Sequence, residues 1–179
     1  FQVGIITSEG TPNVLLTRRP DLQQATVASL YDDIRVWLNA EDANPAQDMR
    51  EILIELGLGG NQIGVEYATY GLTAANGRAV DAALEGSFVT VDASDLVRRQ
   101  RLVKSPAELT YVRKAGRLAD STIHAMIAAT GPGVLDSAVT AAGMREMLEG
   151  GGDIPSGGPL VNSGPRALFG RGVGGPRII

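Results

Sequence analysis

The sequence has no cysteine and no long apolar run, and each absence excludes a class of protein. Without cysteine, its 179 residues form no disulfide, no thiolate zinc site and no cysteine nucleophile. No run reaches the roughly 18 apolar residues that a membrane-spanning helix requires. The first residues, FQVGII, lack the basic region and cleavage site of a signal peptide. We therefore expect a cytoplasmic protein without a membrane partner.

Aromatic residues and positive charge are also scarce. Aromatic side chains make up 4% of the sequence and apolar ones 44%, so the core must be built from Leu, Val, Ile and Ala. The 16 basic and 20 acidic residues give a net charge of −4. Nucleic-acid-binding proteins usually carry a basic face. The composition therefore argues against a nucleic-acid partner.

Short apolar runs alternate with helical patterns over the first hundred residues. The runs at 3–7 and 14–18 flank SEGTP and predict a β-hairpin. Asn44 and Thr73 precede two amphipathic helical patterns, which Gly57 and Gly86 are placed to end. Further strands are predicted at 34–38, 62–66 and 87–93. This alternation predicts an α/β layer in which helices cover a mixed sheet.

The second half begins with a helix start signal. Ser105 and Glu108 have the spacing of a capping box, with Pro106 at the first helical position. The helix should run to Thr130. Its predicted apolar face consists of Leu109, Val112, Ala115, Gly116, Ala119, Ile123 and Met126.

A second helix is predicted after the first, followed by a glycine-rich end. Asp136 is interpreted as its N-cap, and the three glycines at 150–152 as its end. A short strand is predicted at 160–162. The start on an apolar run without Met and the end on GGPRII predict a piece of a longer protein, cut at both ends.

Few residues offer chemistry by themselves. His124 is the only histidine, so neither a metal-binding H-E-x-x-H motif nor a Ser-His-Asp triad is indicated. The glycine-rich stretches lack the phosphate-loop pattern. Arg166 and Arg171 stand among small residues. They are either solvated arginines of a hairpin or the edge of an anion-binding pocket, and their spacing alone favours the first reading.

Several motifs together resemble one family. Arg101, Lys104, Ser105 and Glu108 match an R-x-x-K-s-x-x-E pattern. ATGPGVLD is similar to a following i-x-P-G-x-t-E step, with Asp136 where Glu is common. PLVNSGPRALFGRG is similar to the next strand and loop, and IGVE and DASDLVRRQR to the end of an N-terminal domain. In this order and spacing they resemble the creatinase / aminopeptidase P / prolidase family.

The resemblance implies an α/β fold in two parts. Residues 1–103 would form a creatinase-type N-terminal domain with a mixed sheet and helices. Residues 104–179 would supply the first helices and strand of a truncated pita-bread α+β catalytic domain. The parent protein would be a metal-dependent hydrolase of a small C–N-bonded substrate, such as an X-Pro dipeptide or a creatine-like metabolite. A homodimer is also implied.

The family chemistry depends on two divalent metals, which the resemblance implies as Mn, Co, Zn or Fe. Two Asp, one His and two Glu hold the pair, which activates a water and polarises the scissile carbonyl. By the family order, all five ligands would follow residue 179. We therefore expect neither a metal site nor activity in residues 1–179 alone.

One departure concerns the substrate. Seven residues after Gly164, where the family peptidases carry a histidine, this sequence has Arg171. Arginine cannot exchange a proton near neutral pH but can bind an anion. We expect Arg171 to act in the catalytic site, with Arg166 and Phe169 binding substrate. This favours a non-peptidase member acting on a carboxylate-bearing metabolite. The alternatives are a non-catalytic binding protein or a lyase on the same fold.

Overall fold

The computed structural model describes residues 1–10, 12–168, 170–171 and 177–179. The chain divides into two compact units, Phe1–Leu102 and Val103–Ile179. The strands, all in the first unit, are β1 (Val3–Ile5), β2 (Val14–Arg18), β3 (Asp33–Trp37), β4 (Gln62–Val65) and β5 (Val89–Asp92). The helices are α1 (Leu22–Ala28), α2 (Pro45–Glu55), α3 (Ala74–Leu84), α4 (Leu96–Leu102), α5 (Pro106–Ala129) and α6 (Asp136–Glu149).

The strands of the first unit form two sheets. β1 and β2 pair antiparallel, with Val3 opposite Leu16, so the predicted hairpin is confirmed. β3 lies parallel to β2 on its other side, which makes this three-stranded sheet mixed, in the order β1-β2-β3. β4 and β5 form a separate two-stranded parallel sheet. The predicted mixture of strand directions and alternating helices is therefore present.

Helices α2 and α3 complete the core of the first unit. Their apolar faces meet side chains of the mixed sheet, as the periodicity of the sequence predicted. The buried cluster consists of Ile5, Val14, Leu16, Met49, Ile52, Leu53, Val80, Leu84 and Phe88. Burial of these Leu, Ile and Val side chains supplies the main favourable free energy of this unit.

The predicted N-cap residues begin helices α2 and α3. Asn44 Oδ1 accepts the backbone N–H of Gln47 at 3.2 Å, and Thr73 Oγ1 accepts that of Asn76 at 3.2 Å. Gly57, just beyond the end of α2, has a φ of 73°. A left-handed conformation is inexpensive only for glycine, which explains why the chain turns there.

The second unit is built on α5 and α6, which pack against each other. At the start of α5, Ser105 Oγ accepts the Glu108 N–H at 3.2 Å, and Glu108 Oε2 accepts the Ser105 N–H at 2.7 Å. The predicted capping box is thus confirmed. α5 ends at Ala129 with Thr130 as its C-cap, as predicted.

The face that α5 turns to α6 matches the predicted one only in part. Val112 and Ile123 are 51% and 54% exposed. Met126, a member of the predicted face, does approach Gly143 of α6, and so does Thr122, which was not predicted. The reason is that a glycine in α6 admits side chains of mixed polarity, whereas periodicity in α5 marks only where its apolar residues lie.

Two local predictions were wrong. Asp136 is the first residue of α6 rather than its cap, which is Leu135. Residues 160–162 have no strand conformation. A short segment such as Leu-Val-Asn becomes a strand only where another strand edge pairs with it, and here none does among the described residues. In those same residues, no helix combines the length and apolar character needed to cross a bilayer.

Candidate functional site

A tight corner at Ser163 and Gly164 begins the candidate site. A short 3₁₀ helix, Gly164–Leu168, follows, and the backbone N–H of Arg166 donates to the carbonyl oxygen of Ser163 at 3.2 Å. Gly164 has a φ of 55°, in the left-handed region that favours glycine. The path of the backbone therefore favours glycine at position 164.

The side chain of Arg177 lies directly against this corner. A Cβ atom added to Gly164 would stand closer to Arg177 Nη2 than van der Waals contact allows. The glycine thus leaves room for a guanidinium group. Ser163 is 9% exposed, and its Oγ has no hydrogen-bond partner among the described residues.

Asp136 fixes the backbone of Arg177. Its carboxylate Oδ1 accepts the Arg177 N–H at 3.0 Å, and its own N–H donates to the Arg177 carbonyl at 2.8 Å. Next to this pair, Ile178 forms a β-bridge with Leu135. Asp136 is 7% exposed, and the backbone N–H of Arg177 donates to this buried carboxylate.

These contacts create an arrangement suited to a small anion. A guanidinium group offers several N–H donors in a plane that matches a carboxylate. The corner thus offers the Arg177 guanidinium group to a carboxylate or a similar group. The Oγ of Ser163 is enclosed by protein and takes no part in such a contact.

The three site residues predicted from the sequence differ in exposure and in whether the structure describes them. Arg166 is half-buried within the 3₁₀ helix, and Arg171 is exposed. Phe169 lies outside the described residues. Arg177 was not selected from sequence, although it is the arginine that lies against Gly164. The available signal was its position in the sequence between Gly-Pro and an apolar pair, a pattern that favours a short paired strand.

Ionisable groups of the first unit form separate pairs. Arg35 donates to the carboxylates of Glu55 and Asp33, which raises the pKa of its guanidinium further above its usual range. The hydrogen bond from Arg35 lowers the pKa of Glu55. A hydrogen bond to Asp81 raises the pKa of the Tyr67 phenol. These pairs stabilise the surface of the fold and do not meet at a single site.

Metal-binding side chains are not gathered in this part of the protein. Within residues 1–10, 12–168, 170–171 and 177–179, no three His, Asp or Glu side chains are grouped so that they could hold a metal ion. His124 is exposed on α5. The described residues therefore do not fit a divalent-metal pair.

Comparison with known proteins shows to which family the chain belongs. A family model described as the Creatinase/Prolidase N-terminal domain matches residues 1–103, more than half of the chain. The chain belongs to the creatinase/prolidase family. This creatinase/prolidase chain is also 27% identical over 168 residues to the uncharacterized hydrolase/peptidase y4tM of Sinorhizobium fredii. The similarity covers 90% of the chain but 42% of that relative.

Solved structures share the fold. An X-Pro aminopeptidase from Thermotoga maritima has a TM-score of 0.65 at 15% identity, over 84% of this chain and 40% of that one. An Xaa-Pro dipeptidase from Bacillus anthracis has a TM-score of 0.60 at 21% identity, over 82% and 39%. The family chain thus has the α/β creatinase-type N-terminal fold followed by part of a pita-bread fold, and spans about two fifths of the length of these relatives.

Proposed function

We propose that this chain is part of a hydrolase that cleaves a C–N bond in a small substrate, either an X-Pro dipeptide or a creatine-like metabolite. The match of the N-terminal family model to residues 1–103 carries this proposal. The relative from Sinorhizobium fredii is named a hydrolase/peptidase, and the structural neighbours include an X-Pro aminopeptidase and an Xaa-Pro dipeptidase. The activity belongs to the whole polypeptide, of which residues 1–179 are one part.

The two parts of the chain have different proposed roles. Residues 1–103 form the N-terminal domain, and residues 104–179 begin the catalytic domain. The division of the structure after Leu102 supports this boundary. We also propose a homodimeric protein of the cytoplasm.

The substrate is proposed to carry a carboxylate. Residues 154–179 contain three arginines and no acidic residue. One of the three, Arg177, lies against the Ser163-Gly164 corner. In the proposal, Arg171 binds the substrate carboxylate in the catalytic site, while Arg166 and Phe169 contact the rest of the substrate.

The metal requirement is proposed for the whole polypeptide. In the proposal, the metal ligands come from outside the described residues, which hold no suitable group of His, Asp and Glu side chains. A divalent Mn, Co, Zn or Fe pair would supply an activated water and polarise the scissile carbonyl. The described residues contribute binding of the anionic part of the substrate to this scheme.

The decisive experiment uses the polypeptide expressed from its complete reading frame. Hydrolysis of X-Pro dipeptides and of creatine is followed after addition of Mn²⁺, Co²⁺, Zn²⁺ or Fe²⁺. Arg171→Ala should raise KM by about ten- to a hundredfold, because a hydrogen bond to a charged group contributes about 1.5–3 kcal/mol. Arg171→His should raise dipeptide cleavage, because histidine can exchange a proton.

The control is Arg145→His, which changes an exposed arginine of α6. It should leave both KM and the preferred substrate unchanged. A folded, metal-loaded protein that hydrolyses neither substrate would contradict the proposed function. If that protein still bound small carboxylates, a non-catalytic binding protein would replace it.

A further inference from the structure

Sulfur chemistry in this chain is confined to methionine. The sequence has four methionines and no cysteine, so a thioether is the only sulfur group that an oxidant can reach. Met49 belongs to the core of the first unit and is 5% exposed. The other three, Met126, Met144 and Met147, lie on α5 and α6 of the second unit and are half-buried. The accessible thioethers therefore belong to a single pair of helices.

Met126 fills a close approach between α5 and α6. Gly143 of α6 is buried, and a Cβ atom added to it would stand 2.7 Å from both Cγ and Sδ of Met126. Protein interiors are packed too densely to accept an extra heavy atom at such a distance without a shift. The thioether thus lies against the backbone of α6, where one more heavy atom does not fit.

Few side chains hold α5 and α6 together. Among the described residues of the second unit, Val139 of α6 is the only buried apolar side chain, at 3% exposure. Leu118 of α5 lies against Gly150 and Gly152, just beyond the end of α6, and is half-buried. The contact between the helices therefore depends on half-buried side chains, of which Met126 is one.

We propose that Met126 is an oxidation site and that its sulfoxide loosens the contact between α5 and α6. A peroxide supplies the oxygen. With hydrogen peroxide, the sulfur lone pair attacks one oxygen, an S–O bond forms and the O–O bond breaks. The proton of the transferred oxygen passes to the departing one, which leaves as water. Sulfur loses two electrons in this step, and the peroxide gains them.

The sulfoxide oxygen fits poorly at this contact. It adds one heavy atom to Sδ at the position where Gly143 already has no room for a Cβ atom. It also makes an apolar side chain polar, which removes favourable burial. The oxidised side chain would turn toward solvent, and Gly143 would lose the atoms that pack on it. α6 is therefore held less tightly in the oxidised protein.

The start of α6 also supports the candidate anion site. Asp136 begins this helix, and its carboxylate accepts the Arg177 N–H at 3.0 Å. A looser α6 would therefore also loosen the segment that holds Arg177 against Gly164. This effect of oxidation is independent of the substrate that the whole polypeptide hydrolyses.

Hydrogen peroxide treatment of the polypeptide expressed from its complete reading frame tests the proposal. Mass spectrometry of its peptides should find one added oxygen atom on Met126, while the buried Met49 stays reduced. The amides of residues 140–147 in α6 should then exchange at least about tenfold faster, because local opening exposes them. Methionine sulfoxide reductases for both epimers, with a thiol reductant, should restore slow exchange.

Three outcomes of this treatment would overturn the proposal. The first is a Met126 that stays reduced while Met144 and Met147 are oxidised. The second is an oxidised Met126 with unchanged amide exchange in α6. The third is fast exchange that persists after Met126 has been reduced again, since the change would then come from other damage.

Two leucine variants separate Met126 from the other accessible methionines. Leucine has a similar volume, so cores tolerate this replacement well, and it has no sulfur to oxidise. Met126→Leu should abolish the faster exchange of α6 after peroxide, whereas Met147→Leu should retain it. Equal responses in the two variants would also overturn the proposal. In the wild type, exchange should rise with the oxidised fraction of Met126, and a rise that follows Met144 instead would count against it.

Discussion

The carboxylate of Asp136 accepts the backbone N–H of Arg177, a residue 41 positions later in the chain, at 3.0 Å. Asp136 also donates its own backbone N–H to the Arg177 carbonyl at 2.8 Å. The start of α6 and the end of the chain are therefore tied by two hydrogen bonds. Since Arg177 lies against Gly164, this tie also positions the guanidinium group at the candidate anion site.

Removing the carboxylate should loosen this tie. Asp136→Ala should lower the free energy of unfolding by about 1–3 kcal/mol, because the Arg177 N–H loses its acceptor in a half-buried position. Asp136→Asn retains an acceptor oxygen and should lose less. Urea denaturation measures the difference, and amide exchange at Ile179 locates it. Asp153→Ala, which removes an exposed carboxylate, is the control and should change stability by less than about 0.5 kcal/mol. An equal effect of both alanine variants would argue against the tie.

The ion pair of Arg35 and Glu55 predicts a pH dependence. The pKa of Glu55 lies below its ordinary value of 4.5 because Arg35 donates hydrogen bonds to it. The folded state thus binds this proton more weakly than the unfolded state does. The pair stabilises the fold above pH 4.5, and that contribution is lost as pH falls through the lowered pKa.

Glu55→Gln should therefore destabilise the protein near neutral pH and have little effect at acidic pH. Denaturation curves between neutral and acidic pH measure the gap, which is the difference in the free energy of unfolding between variant and wild type. Glu51→Gln removes a carboxylate of the same helix that bonds Gln47 instead of Arg35. Its gap should be smaller at neutral pH. A Glu55→Gln gap that stays constant down to acidic pH would refute the role of the pair.

Two helical glycines should respond to alanine with opposite signs. At Gly116 of α5, an added Cβ meets no atom within 4 Å, so Gly116→Ala should stabilise by about 0.5–1 kcal/mol through helix propensity. At Gly143 of α6, the Cβ would stand 2.7 Å from Met126 Cγ and Sδ. Overpacking costs about 1–3 kcal/mol, so Gly143→Ala should destabilise by about 1 kcal/mol net. Thermal denaturation distinguishes the two, and a stabilising Gly143→Ala would show that Met126 yields freely.

The capping box of α5 should contribute measurably to stability. Ser105→Ala removes the acceptor of the Glu108 N–H and should cost about 1 kcal/mol in the free energy of unfolding. Ser121→Ala removes a hydroxyl that donates to carbonyls of its own helix, at 3.1 Å to that of Leu118. That change should fall within about 0.5 kcal/mol of zero. Similar losses of stability in both variants would mean that the Ser105 cap contributes no more to the free energy of unfolding than the Ser121 hydroxyl does.

The candidate site was predictable in part. The Ser163-Gly164 motif and the Arg171 departure were visible in the sequence, and the structure adds a physical need for glycine at 164. Arg177 was missed because its role depends on contact with a corner 13 positions earlier and a carboxylate 41 positions earlier. No periodicity or spacing rule reports such a contact.

The sequence by itself determined the local structure. Asn44, Thr73 and Ser105 start their helices because a side-chain oxygen reaches a backbone N–H only three residues away. Glycine at 57 and 86 follows the same local logic of backbone freedom. Only the tertiary structure decided which face of α5 meets α6 and that Arg177 lies at the candidate site. These arrangements depend on residues distant in sequence. Their contacts form only where the favourable free energy of packing exceeds the entropic cost of closing the chain between them.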